Sequence, residues 1–165
     1  MEIHRASSAE AKTLAQIIVR ANQPVARQFA LDRDNAPSHP SFCTEEWIRE
    51  GQDRGETYFI LGAKGKAAGC VAYESPEPSL AYLNRLAVLP EFQGQGMGKH
   101  LVTHIIEKAK KDQKNSISIG TIKAHVQLTD WYISLGFKLA GTKAFDHLPF
   151  DVQFMTYSII QGDGR

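Results

Sequence analysis

The stretch of sequence that decides the fold lies just past the middle of the chain and reads Leu86-Ala87-Val88-Leu89-Pro90-Glu91-Phe92-Gln93-Gly94-Gln95-Gly96-Met97-Gly98-Lys99. A strand pattern ends at Pro90, three glycines alternate with larger residues, and a helical pattern begins. Glycine permits a positive φ and lets a ligand approach the backbone without a Cβ in the way. The free N–H groups of the first helical turn and the positive end of the helix dipole favour an anion. The stretch therefore predicts a phosphate or pyrophosphate site.

The alternative interpretation of this stretch is a glycine-rich helix start without a ligand, but three glycines weaken a helix start by conformational entropy. The spacing also argues against two familiar phosphate motifs. A P-loop needs a glycine and a hydroxyl residue where the chain has Gln93 and His100. A dinucleotide fingerprint starting at Gly94 needs a glycine at Lys99 and an early βαβ unit. Neither Mg-ATP nor NAD is therefore predicted as the ligand.

The patterns on either side predict an α/β domain with a mixed sheet. Ser7 and Glu10 form a capping box for a helix that reaches about Ala21, and Thr44 caps a second helix. Segment 22–43 contains three prolines and is predicted to be a loop or a broken helix. Pro76 and Pro78 are expected to break the chain between two strands. Strand patterns occupy residues 57–61, 67–73, 80–89, 117–119, 137–142 and 152–160, and helix patterns occupy residues 101–109 and 128–135. The predicted order of elements is β-α-α-β-β-β-α-β-α-β-β.

The composition is that of one ordinary globular domain, which we predict to span residues 1–165. Nineteen basic and 18 acidic residues give a net charge of +1, so the basic surface that nucleic-acid binding needs is not expected. No apolar run is long enough to cross a membrane, and the first residues contain an acid and no apolar signal segment. These features predict a cytoplasmic protein without a nucleic-acid or membrane partner.

The cysteines and histidines do not predict a metal site. Cys43 and Cys70 are far apart in a chain without a Cys-x-x-Cys motif, and both are expected to be reduced. His100 and His104 share a helix face, but the glutamate of a His-Glu-x-x-His motif is replaced by Leu101. We therefore expect two solvated histidines.

Two motifs resemble those of a known family. Gln93-x-x-Gly96-x-Gly98 is similar to the Arg/Gln-x-x-Gly-x-Gly/Ala motif of the GCN5-related N-acetyltransferase (GNAT) superfamily. A second element resembles the family's aromatic-Tyr-x-x-Leu-Gly-Phe signature and reads Trp131-Tyr132-Ile133-Ser134-Leu135-Gly136-Phe137. The resemblance covers nearly the whole chain in element order and is strongest over residues 80–142. It implies a single domain with a mixed, mostly antiparallel sheet, flanked by helices and splayed at its central strands.

The resemblance also implies acetyl-CoA as a co-substrate. In this family the pantetheine arm lies between the fourth and fifth strands, and the amides of the glycine turn hold the pyrophosphate. The residues that the resemblance assigns to these contacts are Leu86, Ala87, Val88, Gln93, Gly94, Gln95, Gly96, Met97, Gly98 and Lys99. An exposed lysine at a helix start is also commonly just solvated, so the role of Lys99 stays open.

Tyr132 matches the family's usual general acid, which would protonate the departing CoA thiolate. Tyr132 also fits the apolar stripe of Leu128 and Leu135, so a core aromatic is the alternative interpretation. The resemblance implies direct attack of an amine on the thioester.

The chain departs from the family pattern at the proton acceptor. The family often has an asparagine at the position of His125, and many members have a glutamate near the positions of Tyr82 and Asn84. An amine is uncharged only about one part in a thousand at pH 7, a handicap of ~4 kcal/mol. Either water relays the proton to Glu74, His125 or His147, or the acceptor has a low pKa.

The acceptor implied by the resemblance is a primary amine of a small molecule or peptide. Its site is expected from residues 22–43, the second helix and residues 143–150, with candidates Arg27, Asp32, Arg33, His39, Asp146, His147 and Phe150. Two alternatives remain, a non-catalytic acyl-CoA sensor and a transferase for wider acyl groups or hydroxyl acceptors. The sequence leaves the oligomeric state open, with a homodimer as one arrangement.

Overall fold

Seven strands and four α-helices make up the part of the protein that the computed structural model describes, residues 1–159. The elements follow one another in the order predicted from the sequence. Their bounds are β1 Glu2–Arg5, α1 Ala11–Gln28, α2 Glu45–Asp53, β2 Thr57–Ala63, β3 Lys66–Glu77, β4 Leu80–Val88, α3 Met97–Lys111, β5 Ser116–Ile122, α4 Val126–Ser134, β6 Lys138–Ala144 and β7 Asp151–Ser158.

The strands form one sheet in the order β1-β2-β3-β4-β5-β7-β6. Only β4 and β5 are parallel, and they are paired from Leu80 with Ser116 to Tyr82 with Ser118. Beyond those pairs the two strands diverge, although β4 continues to Val88 and β5 to Ile122. The expected mixed, mostly antiparallel sheet with splayed central strands is thereby confirmed, and the divergence opens the middle of the sheet to a ligand.

The first helix is longer than the sequence predicts. The capping box is confirmed at the short 3₁₀ turn Ser8–Glu10 that leads into α1, where the backbone N–H of Ser7 donates to Oε1 of Glu10 at 3.0 Å. The predicted end near Ala21 is wrong, because α1 continues through Pro24 to Gln28. A proline inside a helix lacks one backbone N–H and crowds the carbonyl four residues earlier, but here it does not end the helix. The added residues bury Ala26 in a small apolar cluster with Leu31, Ala36 and Ile122.

The boundary between β3 and β4 also differs from the one predicted from the sequence. Pro78 lies between β3 and β4 as predicted, but Pro76 does not end a strand, because β3 runs through it to Glu77. The β3–β4 register is irregular between Glu74 and Glu77, and such an irregularity accommodates a proline that cannot donate to the ladder. At the other end of the chain, Ile160 of the last predicted strand lies outside the described residues.

Gly69 allows β3 to pack closely on β4. A Cβ at this position would lie 2.8 Å from the carbonyl oxygen of Ala87 and 3.2 Å from Cδ1 of Leu101. Because backbone cannot easily yield, we expect Gly69→Ala to lower the free energy of unfolding by about 1–3 kcal/mol. Gly62→Ala is the matched control, since its Cβ would lie 3.7 Å from the nearest atom, the carbonyl oxygen of Lys66. Urea denaturation checks the prediction, and equal effects of the two substitutions would contradict it.

Candidate functional site

A groove of about 370 Å³ lies beside the glycine turn that joins β4 to α3. We call it the turn groove, and its walls come from β4, the turn, the first turn of α3, and α4. Its lining residues are Leu86, Ala87, Val88, Phe92, Gln93, Gly94, Gly96, Met97, Gly98, Lys99, Leu128 and Trp131. Every residue that the resemblance assigned to acetyl-CoA lines this groove except Gln95.

The backbone of the turn has the conformation that an anion site needs. Gly94 has φ +78° and Gly96, the N-cap of α3, has φ +83°, values that favour glycine. A Cβ on either glycine would meet no atom within 4 Å, so the space above them is open. The first turn of α3 contains no acidic residue. The free N–H groups of the helix are therefore available to a negatively charged ligand.

Side chains of the turn hold it against its neighbours. Nε2 of Gln93 donates to the carbonyl oxygen of Val88 at 3.0 Å, and Nε2 of Gln95 donates to that of Glu91 at 3.4 Å. The carboxylate of Glu91 accepts from Nη2 of Arg20 at 2.8 Å, and this hydrogen bond lowers the pKa of Glu91. Gln95 thus supports the turn from outside the groove, and Arg20 ties the turn to α1.

Gly98 brings α3 and α4 together at the bottom of the turn groove. A Cβ on Gly98 would lie 3.2 Å from Cζ2 of Trp131. The Trp131 ring in turn packs against Tyr132, with ring centroids 5.0 Å apart, and Tyr132 packs against Phe137 at 5.2 Å. The two sequence motifs, separated by more than thirty residues, therefore form one wall.

A second space, of about 460 Å³, opens where β4 and β5 diverge. We call it the central cavity, and Leu86 and Leu128 line both it and the turn groove. Its lining residues are Asn22, Val25, Ser38, His39, Pro40, Arg54, Glu56, Leu83, Asn84, Arg85, Leu86, Ile119, Gly120, Thr121, Ile122, His125, Leu128, Tyr132, Phe150 and Val152. The two spaces adjoin, so two ligands could meet between them.

Tyr132 forms part of the wall of the central cavity. The residue is 5% exposed, and burial raises the pKa of its phenol, which keeps the proton in place at neutral pH. Its hydroxyl group makes no hydrogen bond to any residue in the described part of the chain. Tyr132 therefore combines both interpretations of the sequence, since its ring packs in the core while its phenol adjoins a cavity.

The other residues that the sequence singled out divide between the cavity and the surface. His39, Phe150, Asn84 and His125 line the central cavity, while Arg27, Asp32, Arg33, Tyr82, Asp146, His147 and Glu74 do not. Burial lowers the pKa of His125, so its ring is neutral at pH 7. Segment 22–43 thus contributes a few side chains to the cavity lining and segment 143–150 contributes Phe150.

Sequence reasoning missed Glu56, which is only 4% exposed. Its carboxylate accepts from Nδ2 of Asn84 at 2.9 Å and lies 3.6 Å from Nη2 of Arg54. A Cβ on Gly51 of α2 would collide with Oε1 of Glu56, so the glycine makes room for the acid. The glycine in α2 is the only signal in the sequence, and it does not identify its partner.

Sequence reasoning also missed Arg85, which adopts φ +55° in β4. Its guanidinium carbon lies 5.6 Å from the centroid of the Trp47 ring. A left-handed backbone is uncommon for residues other than glycine, and no sequence pattern indicates it here.

Metal sites and membrane spans were searched among residues 1–159. No group of three or more His, Cys, Asp or Glu side chains there is arranged to hold a metal ion. His100 is exposed as predicted, but the prediction that His104 is solvated is wrong, because His104 is partly buried and packs edge-on against Phe59, with ring centroids 4.5 Å apart. None of the helices in this part of the chain has the length and apolar character that crossing a bilayer requires.

The chain matches a family model described as the acetyltransferase (GNAT) family over residues 16–137. It is 32% identical over 104 residues to the uncharacterized N-acetyltransferase YvbK of Bacillus subtilis, covering 63% of this chain and 64% of that protein, just under two thirds. It is 26% identical over 148 residues to the S-alkylcysteine N-acetyltransferase of the same organism, covering 84% of this chain and 79% of that protein.

Solved structures share the fold. The ribosomal-protein-S18-alanine N-acetyltransferase of Escherichia coli superposes with a TM-score of 0.77 at 21% identity, covering 99% of this chain and 97% of that one. The yncA protein of Salmonella typhimurium, solved with acetyl-CoA, has a TM-score of 0.70 at 17% identity, covering 100% of this chain and 97% of that one.

Proposed function

Because the chain belongs to the acetyltransferase (GNAT) family, we propose that it transfers an acetyl group from acetyl-CoA to the primary amine of a small molecule or peptide. One observation carries this proposal. The turn groove, built for an anion, adjoins a separate central cavity at Leu86 and Leu128. A donor with a pyrophosphate and an acceptor can thus meet where the two spaces adjoin.

The donor would lie in the turn groove. The N–H groups at the start of α3 bind the pyrophosphate, since the glycine turn leaves the space above them open. Lys99 is exposed beside them and adds a charge-assisted contact. Leu86, Ala87 and Val88 lie where β4 has left β5, so their backbone groups are available to the amides of the pantetheine arm.

The acceptor would lie in the central cavity. Its amine attacks the thioester carbonyl, a C–N bond forms, and the C–S bond breaks. The phenol of Tyr132 gives its proton to the departing thiolate as general acid. The buried, protonated state of this phenol and the absence of a hydrogen-bond partner among the described residues support the assignment.

A proton must also leave the amine. Of the three relays considered from the sequence, His125 has the best support, because its neutral ring lines the central cavity. Glu74 is instead paired with Nε of Arg54 at 3.1 Å, and the exposed His147 packs against Phe145 outside the cavity. An acceptor with a low pKa would need no relay, so both routes remain part of the proposal.

The names of similar proteins point to two kinds of acceptor. One relative is named for S-alkylcysteine, a small molecule, and one structural neighbour for an alanine of a ribosomal protein. Both names describe an N-acetyltransferase, which agrees with the proposed transfer of an acetyl group to a nitrogen atom.

Binding of acetyl-CoA should raise the melting temperature. A ligand present at 100 times its Kd and bound only to the native state adds about 2.7 kcal/mol of stability, or roughly 5–10 °C for a chain of this size. Acetyl-pantetheine, which lacks the pyrophosphate, is the control and should give a much smaller shift. Differential scanning fluorimetry provides the measurement, and no shift at millimolar acetyl-CoA would contradict the donor assignment.

Release of free CoA in the presence of a panel of amines tests the transfer itself. A thiol reagent can follow it, because Cys43 and Cys70 are buried and burial raises the pKa of both thiols. An enzyme releases CoA only with a suitable amine. A sensor, the alternative kept from the sequence, binds acetyl-CoA and releases none with any amine.

A further inference from the structure

The central cavity contains a cation that a β-bulge turns toward it. In the β3–β4 register, Cys70 faces Ala87 and Ala72 faces Asn84, so two residues of β4 lie opposite one residue of β3. Arg85 is one of these two and has the left-handed φ of +55°. Bulges of this kind redirect a side chain, and strained residues other than glycine cluster at functional sites. The bulge places Arg85 in the lining of the central cavity.

The guanidinium of Arg85 has no anionic partner in the described part of the chain. None of its N–H groups donates a hydrogen bond there, and its Nη1 is shielded from water without an acceptor. Only the face of the group is occupied, by the ring of Trp47 at 5.6 Å. Arg85 is only partly buried, but its shielded Nη1 has no hydrogen-bond acceptor among residues 1–159, and a shielded polar group without a partner is unfavourable. The edge of the guanidinium is therefore suited to an anion brought in by a ligand.

Arg54 also lines the central cavity, but unlike Arg85 it is paired with carboxylates. Arg54 lies 3.1 Å from the carboxylate of Glu74 and 3.6 Å from that of Glu56. Glu56 is also held by Asn84 at 2.9 Å. The acidic side chains near the cavity are thus already engaged with groups other than Arg85.

His39 adds a hydrogen-bond donor to the same cavity. The backbone N–H of Ser41 donates to Nδ1 of His39 at 3.2 Å, so Nδ1 must be the unprotonated nitrogen. Burial and the nearby charge of Arg85 lower the pKa of His39, which keeps the ring neutral with its proton on Nε2. His39 and Arg85 both line the cavity and both offer N–H groups.

We propose that the acceptor is an amino acid, an amine that carries a carboxylate, and that Arg85 binds this carboxylate. This inference rests on the proposed acetyl transfer. A guanidinium pairs with a carboxylate through two parallel N–H···O bonds, which fixes the orientation of the ligand as well as its charge. A polyamine would instead bring positive charge to an unpaired arginine. The cavity of about 460 Å³ has room for an amino acid.

The experiment compares three sets of acceptors, namely L-amino acids, the corresponding carboxamides, and the corresponding amines without the carboxyl group. For the wild-type protein we expect kcat/KM to be about 10²-fold higher for the best amino acid than for its carboxamide, because the amide leaves the arginine unpaired. Arg85→Met should remove most of this preference by lowering kcat/KM for the acid about 10²-fold while changing that for the amide little. Arg85→Lys, which keeps the charge, should restore part of it.

Arg49→Met is the control for the loss of an arginine, since Arg49 pairs with Glu45 at 3.1 Å on the surface of α2 and does not line the central cavity. This variant should have the wild-type ratio of kcat/KM for the amino acid to kcat/KM for its carboxamide. The acetyl-CoA thermal shift of each variant confirms that the variant is folded. If Arg85→Met does not fold, the kcat/KM ratio of amino acid to carboxamide in the wild-type protein tests the inference. A ratio near one would overturn it.

The outcomes separate this inference from the proposed function. If amines without a carboxylate, aminoalkyl phosphates or amidated peptides are acetylated as well as amino acids or better, the inference is wrong while acetyl transfer stands. If no amine is acetylated, the proposed transfer is wrong. Calorimetric titration of the acetyl-CoA complex with amino acids then tests Arg85 directly, because binding lost in Arg85→Met supports the carboxylate site and no binding overturns it.

Discussion

Gly96→Asp is expected to weaken acetyl-CoA binding by about 10²–10³-fold, because placing like charges together costs several kcal/mol. Gly96 is the N-cap of α3 and borders the open space where the pyrophosphate would lie. Aspartate is a good N-cap, and it tolerates a positive φ better than most residues. The substitution should therefore keep the fold while it places a negative charge against the phosphates.

Gly96→Asn is the matched control for this prediction. Asparagine has the shape of aspartate, is also a good N-cap and also tolerates φ +83°, but it carries no charge. Isothermal titration calorimetry of both variants separates charge from bulk. Equal affinities of the Asp and Asn variants, both near that of the wild type, would show that the anion binds elsewhere.

Tyr132→Phe is expected to lower kcat by roughly 10–10³-fold and to change acetyl-CoA affinity little, since general acid catalysis is typically worth 10²–10⁴-fold. The expected loss of kcat is smaller than this typical value because a thiolate leaves more readily than an amine. Phenylalanine preserves the ring contacts with Trp131 and Phe137. Because the hydroxyl has no partner among the described residues, its removal should alter stability by less than about 1 kcal/mol.

Tyr157→Phe serves as the control for the loss of a phenol. Tyr157 packs against Phe137 at 5.3 Å but lines neither the turn groove nor the central cavity. Its kcat should match that of the wild type in steady-state measurements. Wild-type kcat in Tyr132→Phe would remove Tyr132 from the mechanism and leave it a core residue.

The parts of the molecule that the sequence predicts are those determined by local patterns. The glycine turn and the capping box at Ser7 each depend on residues a few positions apart, and both are present. The turn groove was predictable for the same reason, because most of its lining residues lie within the stretch 86–99. Leu128 and Trp131 of α4 complete the lining.

The central cavity could not be predicted in the same way, because distant segments build it. The alternation of β4 does not indicate that two of its residues face one residue of β3, and this bulge is what turns Arg85 inward. The burial of Glu56 depends on Gly51 of α2 lying across it. The length of α1 could not be predicted because the apolar cluster that Ala26 joins includes Ile122, which is distant in the sequence.

The most direct test of the account is to measure where the acetyl group goes. Purified protein is incubated with acetyl-CoA carrying a labelled acetyl group and with the amine panel, and both free CoA and labelled amine are quantified. Direct transfer between the two adjoining spaces predicts one labelled acetyl-amine for each CoA released, with no label on the protein itself. Acetyl-CoA that binds without labelling any amine, or CoA release that leaves labelled acetate and no acetyl-amine, would contradict the account.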